Sequence, residues 1–160
     1  MNTSNTPTQT FALHLIVDDI ERSITWYEQA LGATVTRILR LPDGTIATAD
    51  LNVHGLPVAL AEPVPGTALA TPASSGTSVA AFRLRVDDAD AAMSRALVAG
   101  ATLSSEVQDA FWGERTGEVL DPSGHRWAFD QHLRDVSVEE MENQLAEWLS
   151  HSGTASSAEE

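Results

Sequence analysis

The stretch Ala12-Leu-His-Leu-Ile-Val-Asp-Asp-Ile20, followed by the helix-like Glu21-Arg-Ser-Ile-Thr-Trp-Tyr-Glu-Gln-Ala-Leu-Gly-Ala33, decides the fold because it occurs twice. The second copy reads Ala81-Phe-Arg-Leu-Arg-Val-Asp-Asp-Ala89 and runs into Asp90-Ala-Ala-Met-Ser-Arg-Ala-Leu-Val-Ala-Gly-Ala101. A shift of 69, from Asp18 to Asp87, also superposes Leu15 on Leu84, Val17 on Val86 and Asp19 on Asp88. Far downstream the same shift puts Gly55 on Gly124 and Ala59 on Ala128, with Val58 and Leu60 answering to Trp127 and Phe129. One gap is needed, since Leu31-Gly32-Ala33 meets Ala99-Gly100-Ala101 at a shift of 68. A common offset at two distant places argues for a duplicated unit.

Each copy reads as β-α-β-β-β. Alternation puts Phe11, Leu13, Leu15 and Val17 on one face of a first strand and Ala12, His14 and Ile16 on the other. Asp18 or Asp19 then caps a helix with Ile20, Ile24, Tyr27 and Leu31 at helical spacing, and Gly32 stops it. Strands are expected over 35–41, 45–53 and 56–61, with a turn at Pro42-Asp43-Gly44. The second unit repeats the order: strands over 79–86, 102–107, 117–120 and 125–131, a helix from Asp88 to Ala99, an unusual loop over 110–116, and the turn Asp121-Pro-Ser-Gly124. The fold class is therefore α+β: two βαβββ modules over 11–62 and 79–134 making a cupped mixed sheet. Residues 63–78, rich in proline and small residues, read as a linker. A capping box at Ser137 and Glu140 opens a C-terminal helix over 135–150, whose stripe Val138, Met141, Leu145 and Trp148 is expected to pack on its own domain. Residues 1–10 and 151–160 read as loose tails.

Composition excludes several functions. Net charge is −14, and all nine basic residues are arginine, which argues against a nucleic-acid or anionic-membrane partner. No apolar run approaches the ~20 residues of a membrane span. There is no cysteine, so disulfides, thiolate metal sites and cysteine nucleophiles are out. Residues 1–10 lack the apolar segment of a signal peptide, and cytoplasmic is the default.

Two such modules, Val-Asp-Asp before each helix, Gly-Ala after it, and Asp121-Pro-Ser-Gly-His-Arg-Trp127 before the last strand resemble the vicinal oxygen chelate superfamily. That group includes glyoxalase I, bleomycin-resistance proteins, fosfomycin-resistance enzymes and ring-cleaving dioxygenases. The loop Phe111-Trp-Gly-Glu-Arg115 and the ending Asp135-Val-Ser-Val-Glu-Glu-Met141 look most like its PhnB-type branch. The resemblance implies a cup in which enzymatic members hold a divalent metal with four side chains, from the first and last strands of each module. Carried over by position, those four are Ala12, Ala59, Ala81 and Ala128. A methyl group offers no lone pair to a metal, so no metal and no cofactor are expected.

Parity gives the ligand-facing set: Ala12, His14, Ile16, Pro57, Ala59, Ala61, Ala81, Arg83, Arg85, Arg126, Ala128 and Asp130. His14 is a ligand contact, a general base or a structural histidine. Arg83 and Arg85 either clamp a ligand or pair with Asp130 or a partner's glutamates. Trp112 offers an aromatic platform, and Glu114 and Arg115 pair at the mouth or touch ligand. Trp26 and Trp127 read as core, and Asp18, Asp19, Asp87 and Asp88 as helix caps.

The first reading is a metal-independent protein that binds a small organic ligand through Ala12, His14, Ala59, Ala81, Arg83, Trp112, Arg115, Ala128 and Asp130, as a homodimer in keeping with the resemblance. The alternative is a metal-free isomerase, cyclase or lyase with His14 as acid/base and Arg83 polarising a carbonyl. A subunit without chemistry of its own is a third.

Overall fold

A computed structural model describes residues 11–152. The order is β1 (Leu13–Ile16), α1 (Ile20–Leu31), β2 (Thr34–Arg40), β3 (Ile46–Val53), β4 (Leu56–Ala61), α2 (Pro72–Ser75), β5 (Ala81–Arg85), α3 (Ala89–Val98), β6 (Thr102–Asp109), β7 (Glu114–Leu120), β8 (Arg126–His132) and α4 (Val138–Ser152). The tail expected at 1–10 lies outside the described residues; that expected at 151–160 begins with the last two residues of α4, and the rest lies outside as well.

The strands form two four-stranded mixed sheets, ordered β1-β4-β3-β2 and β5-β8-β7-β6. In each, the first strand runs parallel to the fourth and the other pairings are antiparallel. Leu13 stands opposite Val58, and Phe82 opposite Trp127, so the two registers also differ by the sequence shift of 69. The duplication is thus preserved at the level of individual pairs.

Both repeat helices begin as their sequences require. The Asp19 carboxylate accepts from Arg22 N–H and that of Asp88 from Ala91 N–H, both at 2.9 Å, satisfying donors that a helix start leaves without partners. Gly32 takes the left-handed conformation at φ 66°, and its N–H and that of Ala33 return to Glu28 and Tyr27 carbonyls.

The helix-facing surfaces of both sheets contribute to one core. Trp26, Tyr27, Leu51 and Leu60 come from the first half, and Met93, Ala96, Val119, Trp127 and Phe129 from the second. α1 crosses α3, and the indole N–H of the buried Trp26 donates to the Ala96 carbonyl at 3.3 Å. Tyr27 stands edge-on to Trp127, with ring centroids 5.7 Å apart. Its hydroxyl donates to Asp121 at 2.8 Å and accepts from the Trp127 indole N–H at 3.3 Å. Burying a large apolar side chain contributes roughly 1.5–3 kcal/mol, and here the contribution needs both halves.

The stretch 63–78 is more than a spacer. Thr71 is buried and caps the single turn of α2, and its hydroxyl donates to Asp18 at 2.8 Å. Ala73 N–H donates to the Ser123 carbonyl, and Asp18 N–H to the Ser123 hydroxyl. The connection is therefore pinned to a turn of each module at once. Gly124 makes this approach possible, since a Cβ there would come within 2.7 Å of the Ala73 nitrogen.

The C-terminal helix corrects an expectation. It starts at Val138 with half of the expected capping box: Glu140 N–H donates to Ser137 at 3.2 Å, but the Glu140 carboxylate pairs with Arg134. Its stripe is not packed on the body: Val138 is 66 % exposed, Trp148 58 % and Leu149 55 %. Periodicity identifies an apolar face but says nothing of what covers it. Among the described residues, no helix is long and apolar enough to cross a membrane.

Candidate functional site

Each sheet has a face turned away from the common core, and the parity set lies on those faces. On the first sheet the register places His14 beside Ala59 and Ala59 opposite Asp50. Asp50 accepts from Arg37 Nε at 2.6 Å. His14 is exposed, and its imidazole has no hydrogen bond among the described residues. Ala12, also exposed, lies just before β1. This face is shallow and small-residue-rich, with one imidazole projecting from it.

The open face of the second sheet is charged and internally satisfied. Arg83 beside Ala128 makes a two-pronged pair with Asp130, both bonds 2.7 Å, and Thr116 donates to the same carboxylate at 2.6 Å. Asp130 is thereby buried with its charge compensated, as a buried carboxylate must be. Arg85 reaches Glu114 at 3.5 Å, and Arg126 reaches Glu118 at 3.2 Å and Ser104 at 3.0 Å. Ala81 opens β5 on the same face, and Ala128 is buried beneath these longer side chains.

Glu114 and Arg115 do not pair. β7 starts at Glu114, earlier than expected from sequence, and successive strand residues point to opposite faces. Glu114 joins the open face, where it accepts from the Trp112 indole at 3.0 Å and meets Arg85. Arg115 instead bonds Asp90 at the start of α3 and Asp109 at the end of β6. Its hydrogen bonds to Asp90 first, and then to Asp109, hold its guanidinium above its ordinary pKa. The structure thus separates Arg115 from the other candidate residues, while Trp112 rims the second open face.

Among the described residues the two open faces belong to separate sheets, with no strand pairing between them. A cavity of about 480 Å³ at the junction of the modules is lined by helix-facing Leu13, Leu56, Phe82, Leu84 and Trp127, with Ala81 and Arg83 at its edge. A second, of about 440 Å³, takes in His14, Phe82 and His125 beneath the linker. Neither includes Ala59, Ala128 or Asp130. His125, which the sequence places only at the start of the last strand, ties the modules together through Nε2 and the Ile16 carbonyl at 2.8 Å.

Gly113 fixes the loop that carries Trp112. It sits at φ +89°, its carbonyl accepts from Leu133 and Arg134 N–H, and a Cβ would overlap the Arg134 carbonyl and come within 2.7 Å of Val136. Gly113→Ala should therefore lower stability by about 2–4 kcal/mol, combining left-handed strain with overpacking. Urea unfolding reads this directly, and a loss under ~1 kcal/mol would mean that the loop yields easily.

Comparison with known proteins bears on this geometry. A family model described as Glyoxalase/Bleomycin resistance protein/Dioxygenase superfamily matches residues 9–129. The uncharacterised protein Rv0887c of Mycobacterium tuberculosis is 39 % identical over 132 residues, covering 81 % of this chain and 78 % of that protein. TioX from Micromonospora sp. ML1 is 29 % identical with a TM-score of 0.57, covering 79 % of this chain and all of TioX (100 %). The fosfomycin resistance protein FosX of Listeria monocytogenes shares the fold at 13 % identity and a TM-score of 0.59, covering 83 % of this chain and 97 % of FosX.

Proposed function

The chain belongs to the Glyoxalase/Bleomycin resistance protein/Dioxygenase superfamily, and from that membership we propose that it is a metal-independent binding protein for a small organic ligand. The observation that carries the reading is the donor set. The superfamily's four metal positions fall on Ala12, Ala59, Ala81 and Ala128, and no three His, Cys, Asp or Glu among the described residues gather to replace them. A divalent ion needs several O, N or S donors, so these residues do not fit one.

His14 and the half-exposed Arg83, held by the buried Asp130, supply polar handles, with Trp112 at the rim. Each open face forms half a container in one chain. A second copy completes it by setting its open face against the first, so the working unit is a homodimer. The likeness of the loop Phe111–Arg115 and the sequence 135–141 to the PhnB-type branch supports assigning the protein to that branch, and the reading takes it as cytoplasmic with a resistance or natural-product role.

Native mass spectrometry of freshly purified protein tests this. It should show a dimer that carries an organic adduct and no stoichiometric transition metal. A metal retained at one per site would sink the proposal.

One observation favours a second reading, a metal-free isomerase, cyclase or lyase. The exposed imidazole of His14 is unengaged among the described residues, as an acid/base awaiting substrate would be. Arg83 fits that role less well, because its guanidinium is committed to Asp130. In His14→Ala, loss of turnover with the adduct still bound selects the enzyme; loss of the adduct with no turnover in either protein selects the binder.

A further inference from the structure

We propose that the slot between the 110–112 loop and α4 is a second binding site, specific for a planar aromatic compound that carries positive charge. It encloses about 670 Å³, the size of a small-molecule site. Phe111 and Trp112 form one wall and Leu145 and Trp148 the other, with Gln108, Asp109, Gln144, Glu147 and His151 around them.

The walls suit stacking. Trp112 is held from two sides, by its indole bond to Glu114 at 3.0 Å and by the edge of Phe111, with centroids 5.0 Å apart and planes at 85°. An indole fixed before the ligand arrives has little ordering entropy left to lose. Trp148 faces it from a helix whose remaining apolar surface is exposed. A flat ring system entering the slot can stack against the indoles that line it.

Charge selects the sign of the ligand. Among the described residues, no lysine or arginine lines the slot. Asp109 shares its charge with Arg115, but Glu147 has no basic partner among the described residues. His151 has Nδ1 2.7 Å from the Glu147 carbonyl. A cation over an indole gains further attraction, and a net charge of −14 repels an anion before it arrives. The slot shares Trp112 with the rim of the second open face, but its other wall, α4, lies beyond the family-matched residues 9–129.

The test is a titration of the full chain with proflavine, a planar aromatic cation, followed by tryptophan fluorescence. Trp26 and Trp127 are buried while Trp112 and Trp148 are exposed, so the part of a saturable quenching that depends on Trp148 reports the slot. Trp148→Ala, at a site too exposed to threaten the fold, should weaken binding about tenfold, and Trp112→Ala similarly. Glu147→Gln should weaken it several-fold at low salt, and naphthalene-2-sulfonate should not compete. Unchanged affinity in both tryptophan variants would overturn the site. So would equal binding of the sulfonate, or loss of binding in His14→Ala, which would assign the dye to the open face. Binding abolished upon dimerisation would likewise overturn it, by making the slot an interface. None of these outcomes alters the adduct measurement that tests the open faces.

Discussion

Replacing Asp121 with alanine should cost about 3–5 kcal/mol of folding stability, one of the largest effects available to a single side chain here. The carboxylate accepts from the Tyr27 hydroxyl at 2.8 Å through one oxygen, and from Ser123 and His125 N–H at 2.9 Å through the other. Alanine leaves a buried phenol without its acceptor and unties the turn on which the linker rests. Asp121→Asn keeps one acceptor oxygen and should lose only about 1–2 kcal/mol. Urea unfolding of both variants gives the comparison, and equal losses would show that the turn, not the phenol, sets the cost. Burial raises the pKa of Asp121, with the His125 charge and the Tyr27 bond opposing that rise. A raised folded pKa means a contribution to stability that is present below the usual carboxylate range and is lost as pH climbs through the folded value. Asp121 therefore softens acid unfolding, against the exposed Asp90 and Glu140, whose lowered pKa values act in the opposite direction.

At the alkaline end one residue should govern the stability curve. The chain has a single tyrosine and neither lysine nor cysteine, and arginine stays protonated, so between about pH 9 and 12 Tyr27 is the only side chain that titrates. Burial first, and the charge of Asp121 second, push its pKa well above 10. The unfolded phenol ionises near pH 10 while the folded one does not. Stability is thus intact below ~10 and falls above it by up to about 1.4 kcal/mol per pH unit, until the folded value is reached. Tyr27→Phe should abolish that slope while starting from a lower stability. Denaturant unfolding at several pH values checks this, with tyrosinate absorbance reporting one group. A native protein ionising near pH 10 would refute the burial argument.

The sequence made the repeat and its consequences legible. Offsets carried over into strand register, alternation sorted each strand into core and open faces, and Asp19 and Asp88 were found at the helix starts expected of them. Trp26 and Trp127 are buried as their positions suggested. Local pattern could not reveal contacts between distant residues. Tyr27 was readable as a helix-face residue but not as a partner of Asp121, and nothing in the proline-rich connection announced that Thr71 would be buried against Asp18. Pairing Glu114 with Arg115 failed because a loop was assumed where a strand begins. Parity sorted the strand residues His14, Ala59, Arg83, Ala128 and Asp130 onto the faces away from the core but could not place Arg115, and how two faces stand to each other depends on module packing, which period-2 alternation does not encode.

The bond between Tyr27 and Trp127 also constrains biosynthesis. A ribosome adding ~5–20 residues per second needs about 5–20 s to make the hundred residues that separate them. For that interval the nascent first half presents α1 with its outer aromatic side uncovered, and its natural cover exists only on a completed sister chain. Translation is therefore the stage at which two polypeptides are most able to exchange halves.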